Sequence, residues 1–411
     1  MSSITTPAAR THGASRSGVL GYGAAFWSVA FAFLVTIGFG TVTTPLWELY
    51  QVRDGFSTFM ITVVFAVYAV GVVAALFFAG HLSDYLGRRR MILLGLAIEV
   101  ASAIVFIASP ALPVIIVARI VSGIGVGMVS AAFTAFVAEL NGRARPGAGR
   151  TRSDVVGSVA NMGGFAIGAL VSGFLAEWVS SPLRTPYIVF GILMVIGAIG
   201  VAMSPETANL DGPRPAYRPQ RVSLPAEAKP AFWAAAGAGF VVFAVNGLFN
   251  TIAPAFVAGT MGHPSRALAG LVAFIVFGAA ALMQIVTIKV PLRRLLISGL
   301  TLAIVGLVVV SIAVWLPNLA LFLIGGGLAG GGGGLLFKGA VTTVVSVAAP
   351  AKRGEALAGL FLSAYVGLIV PVLGVGIAVE YASARNVLVV FSAVLILVCL
   401  IASPRLVGNQ K

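Results

Sequence analysis

Length, composition and charge exclude an ordinary soluble protein. The chain has 411 residues, of which 59% are hydrophobic and 9% charged, and its mean hydropathy is +1.05. Soluble domains carry about 25% charged residues, so lipid must solvate much of this chain. The net charge is +14, but no basic run is interleaved with stacking aromatic residues, which argues against a nucleic-acid partner.

Cysteine and histidine are too scarce for a disulfide framework or a metal site. Cys399 is the only cysteine, and the three histidines, His12, His81 and His263, are far apart in the sequence. A zinc ion would therefore find almost no ligands. We expect neither a metal nor a cofactor.

Twelve apolar segments follow one another along the chain. Each is long enough to cross about 30 Å of hydrocarbon as a helix, and none alternates as a membrane β-strand would. The first is too long for a signal-peptide core, so we expect it to be retained. We number them spans 1 to 12 and predict them at 22–47, 57–80, 91–109, 112–139, 154–177, 185–203, 231–257, 267–288, 295–315, 319–347, 356–379 and 385–403.

The basic residues predict the orientation of the spans. Of the 26 Lys and Arg, 20 lie in tails and loops on the side of both termini, and four lie on the other side: Arg53, Arg184, Arg266 and Arg385. Lys and Arg are retained on the cytoplasmic side of a membrane. We therefore expect a multi-pass protein of the inner (cytoplasmic) membrane with both termini in the cytoplasm.

A polar stretch rich in Pro and Arg separates two halves of six spans each. The predicted organisation is a cytoplasmic tail at 1–21, a six-helix bundle at 22–203, a cytoplasmic linker at 204–230, a second six-helix bundle at 231–403 and a tail at 404–411. We predict an all-α membrane protein with two pseudo-symmetric six-helix bundles.

The two halves also resemble each other in sequence at a nearly constant offset. A shift of 204 residues places Arg89 and Arg90 over Arg293 and Arg294, and a shift of 203 places Gly173 and Glu177 over Gly376 and Glu380. Each match is weak alone, but together they indicate a duplicated six-helix unit.

The segment from Gly80 to Arg90, between spans 2 and 3, carries the strongest local signal. Gly80 and Gly87 permit a tight turn, and Asp84 can pair with Arg88 or cap a helix. A basic cytoplasmic loop with a turn aspartate would have the same composition. The pattern alone leaves both interpretations open.

This segment resembles the cytoplasmic loop motif of the major facilitator superfamily, G-x-L-x-D-x-x-G-R-R, and lies where that family has it. The resemblance covers the hydrophobic chain and is closest to bacterial drug or metabolite transporters. It implies a gate latch of Gly80, Asp84, Gly87, Arg88 and Arg89, whose aspartate joins the halves when the cytoplasmic side is closed. The second-half copy has Gln284 and Ile288 in place of Gly and Asp, so the role applies only to the first.

Three further residues resemble cytoplasmic gating elements of the same superfamily. Glu139 ends span 4, Arg150 or Arg152 begins the segment that leads into span 5, and Glu206 follows Pro205 after span 6. The resemblance implies gating ion pairs. Importers and exporters share these elements, so they do not indicate a substrate.

Span 4 carries an arginine followed by three alternate glycines. Arg119 lies about 13 Å along the helix from Pro110, where a charge exposed to lipid would cost at least about 2.5 kcal/mol. It should face a polar cavity or a partner, or extend to the interface. Gly123, Gly125 and Gly127 would let neighbouring helices approach closely. The pattern resembles the superfamily's fourth-helix motif, which implies proton coupling or substrate contact for Arg119.

Span 5 contains Gly164, Gly168 and Gly173 at spacings that resemble the superfamily's antiporter motif. Ala169 and Ser172 replace the proline and a glycine of that motif. A plain small-residue packing face would explain the same glycines. The motif therefore favours antiport only slightly.

Two acidic residues are candidates for coupling. Glu99 lies in the middle of span 3, which suits a proton-coupling site, although the third helix of each half is peripheral in the fold that the resemblance implies. The alternative is a protonated or interhelical hydrogen-bonded acid. Glu48 follows Trp47 at the outer end of span 1, where it could line a cavity mouth or belong to the interface.

Four residues of the second half are candidates for substrate contact. Asn246 and Asn250 form an i,i+4 polar face on span 7, which lines the cavity in the superfamily fold. Lys338 in span 10 could contact an anionic substrate or extend to the interface. Tyr365 lies near Pro371, where span 11 should kink.

These observations predict a secondary transporter for a small organic solute, with proton-coupled efflux as the first hypothesis. Proton-linked uptake of a sugar or other metabolite is the main alternative, and uniport is a further one. A membrane-embedded enzyme would need a cluster of His, Asp or Glu, which the sequence lacks; a channel or receptor would need a filter or signalling domain. The expected partners are the solute, protons and the lipid bilayer, and we expect a monomer.

Overall fold

The computed structural model describes residues 19–79, 82, 86–147, 149–208, 228–349 and 352–408. The predicted N-terminal tail and most of the 204–230 linker lie outside these ranges. So do Gly80 and Asp84 of the loop motif.

The described chain forms twelve helical spans that are long and apolar enough to cross a membrane, as predicted. Span 1 consists of a helix at Tyr22–Phe39, a 3-10 turn at Thr44–Leu46 and a short helix at Trp47–Asp54. Spans 2 to 12 are Thr58–Ala79, Arg88–Ala108, Leu112–Ala144, Thr151–Trp178, Thr185–Ala202, Lys229–Gly259, Arg266–Val286, Leu292–Trp315, Leu319–Val347, Arg353–Tyr381 and Ala384–Gly408.

Span 1 differs most from its prediction, because it is broken after Phe39 and resumes as far as Asp54. Pro45 contributes to the break, because it has no N–H to donate to the carbonyl of Thr41, four residues earlier. The break leaves backbone groups around Gly40 without helical partners. These groups become available to side chains of neighbouring spans.

Each half has its own hydrophobic core. Spans 1 to 6 enclose one core, in which Phe33 stacks on Phe133 at 3.8 Å and Phe106 on Tyr187 at 4.5 Å between ring centroids. Spans 7 to 12 enclose the other. Two smaller apolar clusters lie between the halves.

The bundle has two ends that we name by the course of the chain. The terminal end is where span 1 begins at Tyr22 and span 12 ends at Gly408. The distal end contains the turns at 55–57, 109–111, 179–184, 260–265, 316–318 and 382–383.

Candidate functional site

Two apolar seams join the halves. In one, span 5 packs on span 8 through Met162, Ala166 and Ala169 against Ala273, Phe277, Ala280 and Ala281. In the other, span 2 packs on span 11 through Phe65 and Ala69 against Leu368 and Val372. Both seams include close contacts at glycines near the distal end, at Gly173 beside Gly270 and at Thr62 beside Gly376.

Span 1 and span 7 are hydrogen-bonded to each other at the distal end. Pro254 has no N–H, so the carbonyl of Asn250, four residues earlier, lacks its helical partner. The indole Nε1 of Trp47 donates to that carbonyl at 3.0 Å. The hydroxyl of Thr44 donates to the side-chain oxygen of Asn250 at 2.9 Å.

Two carboxylates, which we call the distal caps, each bind the N-terminus of a helix in the other half. Glu177, at the end of span 5, accepts hydrogen bonds from the backbone of Arg266 at 2.7 Å and of Ala267 at 3.4 Å, at the start of span 8. Glu380, at the end of span 11, accepts from the backbone of Phe59 at 3.4 Å, at the start of span 2. A carboxylate is stabilised by the positive end of a helix. The pseudo-symmetry of the halves thus yields two equivalent contacts.

Arg119 lies inside the first half, directly behind the distal hydrogen bonds. Its side chain is 1% exposed, and Nη1 donates to the carbonyl of Gly40 at 2.9 Å. Its guanidinium carbon is 5.3 Å from the ring centroid of Trp47 and 5.1 Å from that of Tyr68. Nε and Nη2 are buried with no hydrogen-bond partner among the described residues. Arg119 therefore neither extends to the interface nor forms an ion pair.

Glu99 is the other buried charged side chain of the described chain. The hydroxyl of Ser122, one helical turn from Arg119 on span 4, donates to its carboxyl oxygens at 3.1 and 3.3 Å. Glu99 thus faces span 4 within the first half. Its carboxyl group lies against Gly125, whose missing side chain leaves room for it.

The glycines of spans 4 and 5 lie at helix–helix contacts. Gly123 and Gly127 face span 2, and a Cβ at Gly123 would lie 2.2 Å from the carbonyl oxygen of Tyr68. Gly164 and Gly168 face span 1, and Gly173 faces span 8. The span 5 motif therefore contacts both span 1 and the second half.

A polar cluster at the terminal end is centred on Glu206. Its carboxylate accepts hydrogen bonds from the backbone N–H groups of Arg88 at 3.0 Å and Arg89 at 3.1 Å, which begin span 3. Gly87, with a φ of 93°, turns the chain into this helix, and a Cβ there would lie 2.5 Å from Glu206 Oε2. Position 87 therefore favours glycine, because a side chain there would be strained at this φ and would collide with Glu206.

Other residues of the predicted gate complete this cluster. Arg88 Nη2 lies 3.5 Å from Glu139 Oε1, and Thr207 donates its hydroxyl to the other oxygen of Glu139. Arg152 instead donates to Asn141 at 3.4 Å. Glu139 and Arg152 are therefore not paired, and the contacts of the cluster described here remain within the first half.

In the second half, Lys338 binds the C-terminal end of span 8. Its ammonium group donates to the carbonyls of Gln284 and Thr287, each at 3.1 Å. A cation is favoured at this end of a helix, where carbonyls lack partners. This bonding links span 10 to span 8.

Tyr365 belongs to a half-buried aromatic cluster that reaches the seam between the halves. Its ring centroid lies 5.4 Å from that of Phe243, which lies 5.4 Å from that of Phe337. Phe361 extends the cluster at 5.8 Å from Phe337. Both Phe243 and Tyr365 also pack on the apolar cluster between spans 2 and 11.

The remaining candidates have fewer contacts. Asn246 offers its backbone carbonyl to the amide of Asn250 at 3.0 Å, and no hydrogen bond of its own side chain is found within the described chain. Glu48 is half-buried in the first turn of the Trp47–Asp54 helix. The described residues contain no group of three or more His, Cys, Asp or Glu that could hold a metal ion.

Several residues of this arrangement are absent from the sequence-based candidates, above all Glu177, Glu380 and Trp47. Glu177 and Glu380 match in the internal repeat, which is a signal that could have marked them as a pair. The spacing of Asn250 and Pro254 predicts one free carbonyl in span 7, but not that Trp47 would bind it.

Twelve membrane-spanning helices in two six-helix halves define a polytopic membrane protein. Comparison with known protein families shows which family it belongs to. A family model described as Major Facilitator Superfamily matches residues 28–291. The chain belongs to this superfamily, whose members are transporters and not enzymes.

Two drug-resistance proteins are similar to part of the chain. Quinolone resistance protein NorA of Staphylococcus aureus is 27% identical over 183 residues, which are 44% of this chain and 45% of NorA. Multidrug resistance protein 2 of Bacillus subtilis is 29% identical over 136 residues, 33% of this chain and 32% of that protein. The match thus spans less than half the length of either relative.

Two solved structures share the fold over nearly the whole chain. The human organic anion transporter MFSD10 (TETRAN) has a TM-score of 0.67 at 15% identity, covering 93% of this chain and 99% of that one. A POT family transporter in complex with a thioalcohol-conjugated peptide has a TM-score of 0.71 at 13% identity, covering 94% and 96%. At these identities the likeness concerns the fold alone.

Proposed function

We propose that this protein exports small amphipathic organic compounds across the cytoplasmic membrane by alternating access, in exchange for protons. In alternating access, two rigid halves rock about a central site, so that one end closes while the other opens. The proposal therefore needs two halves that can separate at either end.

The position of the contacts between the halves is the main support for alternating access. The hydrogen bonds between described residues of different halves all lie at the distal end, at Thr44, Trp47, Glu177 and Glu380. The polar cluster around Glu206 and the Lys338 contacts each remain within one half. Contacts of this kind are those expected of a transporter whose distal end is closed.

The distribution of basic residues supports a cytoplasmic terminal end. In that orientation the closed distal end would face the outside of the cell, and alternating access would then admit a compound from the cytoplasm. The opposite conformation would require the distal hydrogen bonds and caps to break.

The substrate class and direction are supported by the similarity to NorA and to multidrug resistance protein 2, whose names refer to drug resistance. The aromatic cluster of Phe243, Phe337, Phe361 and Tyr365 would suit flat apolar compounds, since aromatic rings favour offset and edge contacts. Proton coupling would involve Arg119 and Glu99, since Ser122, one turn from Arg119 on span 4, donates to the carboxyl group of Glu99.

Transport by inside-out membrane vesicles tests direction and coupling together. With an acid interior, the proposal predicts that a fluorescent quinolone accumulates inside the vesicles and leaves when an ionophore collapses the proton gradient. Vesicles containing the Arg119→Ala protein at equal abundance are the control.

Each alternative gives a different result. Accumulation only in right-side-out vesicles with an acid exterior would indicate proton-linked uptake. Equilibration that ignores the gradient would indicate uniport. Either result would overturn proton-coupled export.

A further inference from the structure

An open polar depression with a volume of about 510 Å³ lies at the terminal end of the first half. Its walls come from the first turns of span 1, the last residues of span 4 and the start of span 5. We call it the terminal pocket and define it by Tyr22, Trp27, Arg143, Arg145 and Arg152. Among the described residues, the hydrogen bonds between the halves involve none of Trp27, Arg143, Arg145 and Arg152.

Neighbouring groups hold two of the three arginines in place without neutralising them. Arg143 Nη2 donates to the carbonyl of Thr207 at 2.7 Å, and its guanidinium lies 5.7 Å from the ring centroid of Tyr22. Arg152 donates to Asn141 and lies 4.7 Å from the ring centroid of Phe26. These partners are carbonyl oxygens and aromatic faces, so no carboxylate of the described ranges forms an ion pair with either arginine.

Arg145 is the third arginine of the terminal pocket, and its side chain is exposed. It forms no hydrogen bond or ion pair within the described ranges; only its backbone N–H is bonded, to Asn141 at 2.9 Å. Within the part of the chain that the structure describes, the pocket therefore presents three guanidinium groups and no carboxylate paired with them. Such a site favours an anion with several oxygens, because guanidinium groups bind phosphate oxygens in a fork.

The level of the pocket relative to the membrane boundary indicates that the anion belongs to a lipid. Trp27 lines the pocket and is 55% exposed, with Arg152 5.5 Å from its ring centroid. Tryptophan marks the boundary between hydrocarbon and lipid headgroups, and basic pockets between helices at this level bind anionic headgroups. The pocket lies where span 1 leaves the apolar region, within reach of a lipid phosphate.

We propose that the terminal pocket binds the phosphate of an anionic phospholipid in the leaflet on the side of the termini. Bound there, the lipid would connect spans 1, 4 and 5 of the first half through Arg143, Arg145 and Arg152. This contact is separate from the transported compound and does not depend on the direction of transport.

The test compares lipid binding to the purified full-length protein by native mass spectrometry and by thermal stabilisation in detergent. The probes are phosphatidylglycerol and phosphatidylcholine of equal chain length, and glycerol 3-phosphate as a free phosphate. Arg145→Glu and Arg145→Gln change the pocket. Arg294→Glu and Arg294→Gln, at an exposed arginine at the start of span 9, are the matched controls.

We expect phosphatidylglycerol to bind the wild-type protein and the Arg294 variants equally well. Its affinity should fall about fivefold for Arg145→Gln, and further for Arg145→Glu. The Gln variant removes the charge without adding an opposite one, so it keeps the test valid if the Glu variant folds poorly.

Three results would overturn the proposal. Equal binding of phosphatidylcholine would show that no anion is recognised. Equal losses at Arg145 and Arg294 would show a diffuse surface charge effect. Stabilisation by glycerol 3-phosphate without retention of phosphatidylglycerol would show a site for a soluble phosphate compound.

Discussion

Arg119 shows how one residue can link a buried charge to the closure of the distal end. A charge at this depth costs at least about 2.5 kcal/mol when a helix enters a membrane. Here it is offset by one hydrogen bond to Gly40 and by the faces of Trp47 and Tyr68. Because Trp47 is also bonded to Asn250 of the other half, opening of the distal end would expose Arg119 to water.

We therefore predict that Arg119→Ala lowers the rate of transport by at least about tenfold, because the charge that would be hydrated on opening is lost. Arg119→Lys should retain part of the activity, since an ammonium keeps the charge but not the planar contact with the two rings. Initial rates in vesicles, normalised to protein abundance, measure both effects. Wild-type rates for Arg119→Ala would show that this charge is not needed for the cycle.

Gly87 provides a second prediction at the scale of one residue. Gly87→Ala would force a side chain into a φ of 93° and place its Cβ 2.5 Å from Glu206 Oε2. Gly147→Ala is the matched control, with a φ of 85° at the same end and no heavy atom within 4 Å of its Cβ. The strain in φ alone costs about 1 kcal/mol or more.

The difference between the two variants reports the contact with Glu206. We expect Gly87→Ala to lower the melting temperature of the purified protein more than Gly147→Ala does. It should also disturb the N-terminus of span 3, whose first two N–H groups bind Glu206. Equal shifts would mean that the Glu206 cap contributes nothing to stability.

At the scale of helices, the sequence predicts where spans lie better than how they touch. A span is predicted from the hydropathy of about 20 residues together, so a single polar residue changes the result little. All twelve spans are therefore found. The break in span 1 depends on a few local residues such as Pro45, and the apolar pattern predicts one continuous helix there. Contacts between side chains are harder to predict than spans. Glu139 lies near Arg88 and not Arg152. The residues after span 6 bind both Arg88 and Glu139, and no local sequence pattern predicts that arrangement.

The glycines of span 5 provide a prediction about helix packing. A Cβ at Gly168 would lie 2.0 Å from the carbonyl oxygen of Gly38, which is backbone and cannot move aside. At Gly163, five residues away on the same span, a Cβ would meet only Val159 at 3.8 Å. Overpacking of a tight contact costs about 1–3 kcal/mol.

We expect Gly168→Ala to destabilise the protein by an amount in that range and Gly163→Ala to leave it unchanged. Thermal unfolding of both variants in the same detergent measures the difference. A stable Gly168→Ala protein would mean that spans 1 and 5 can separate at little cost, contrary to their close packing here.

At the scale of the whole molecule, the distal caps favour the conformation described here. Glu177 belongs to the first half and binds the second, whereas Glu380 does the reverse. A carboxylate at a helix N-terminus contributes about 0.3–1 kcal/mol. Together they would shift the equilibrium between the two conformations by about 3- to 30-fold.

We predict that Glu177→Gln and Glu380→Gln each increase the population open at the distal end, and that the double variant does so by roughly the product of the two effects. Glu48→Gln is the matched control, because Glu48 lies at the same end without a hydrogen bond to the other half. Spin labels at the exposed positions Val52 and Leu316, in a Cys399→Ala background, report the distance between the halves.

The distance distribution decides whether the caps act as a pair. Loss of either cap leaves the apolar seams and the Trp47–Asn250 bond intact, so the closed population should shrink without disappearing. A second, longer distance should grow in each variant and most in the double one. If the double variant matched Glu48→Gln, the caps would not favour the closed conformation, and the distal closure would depend on the seams and the bonds to Asn250.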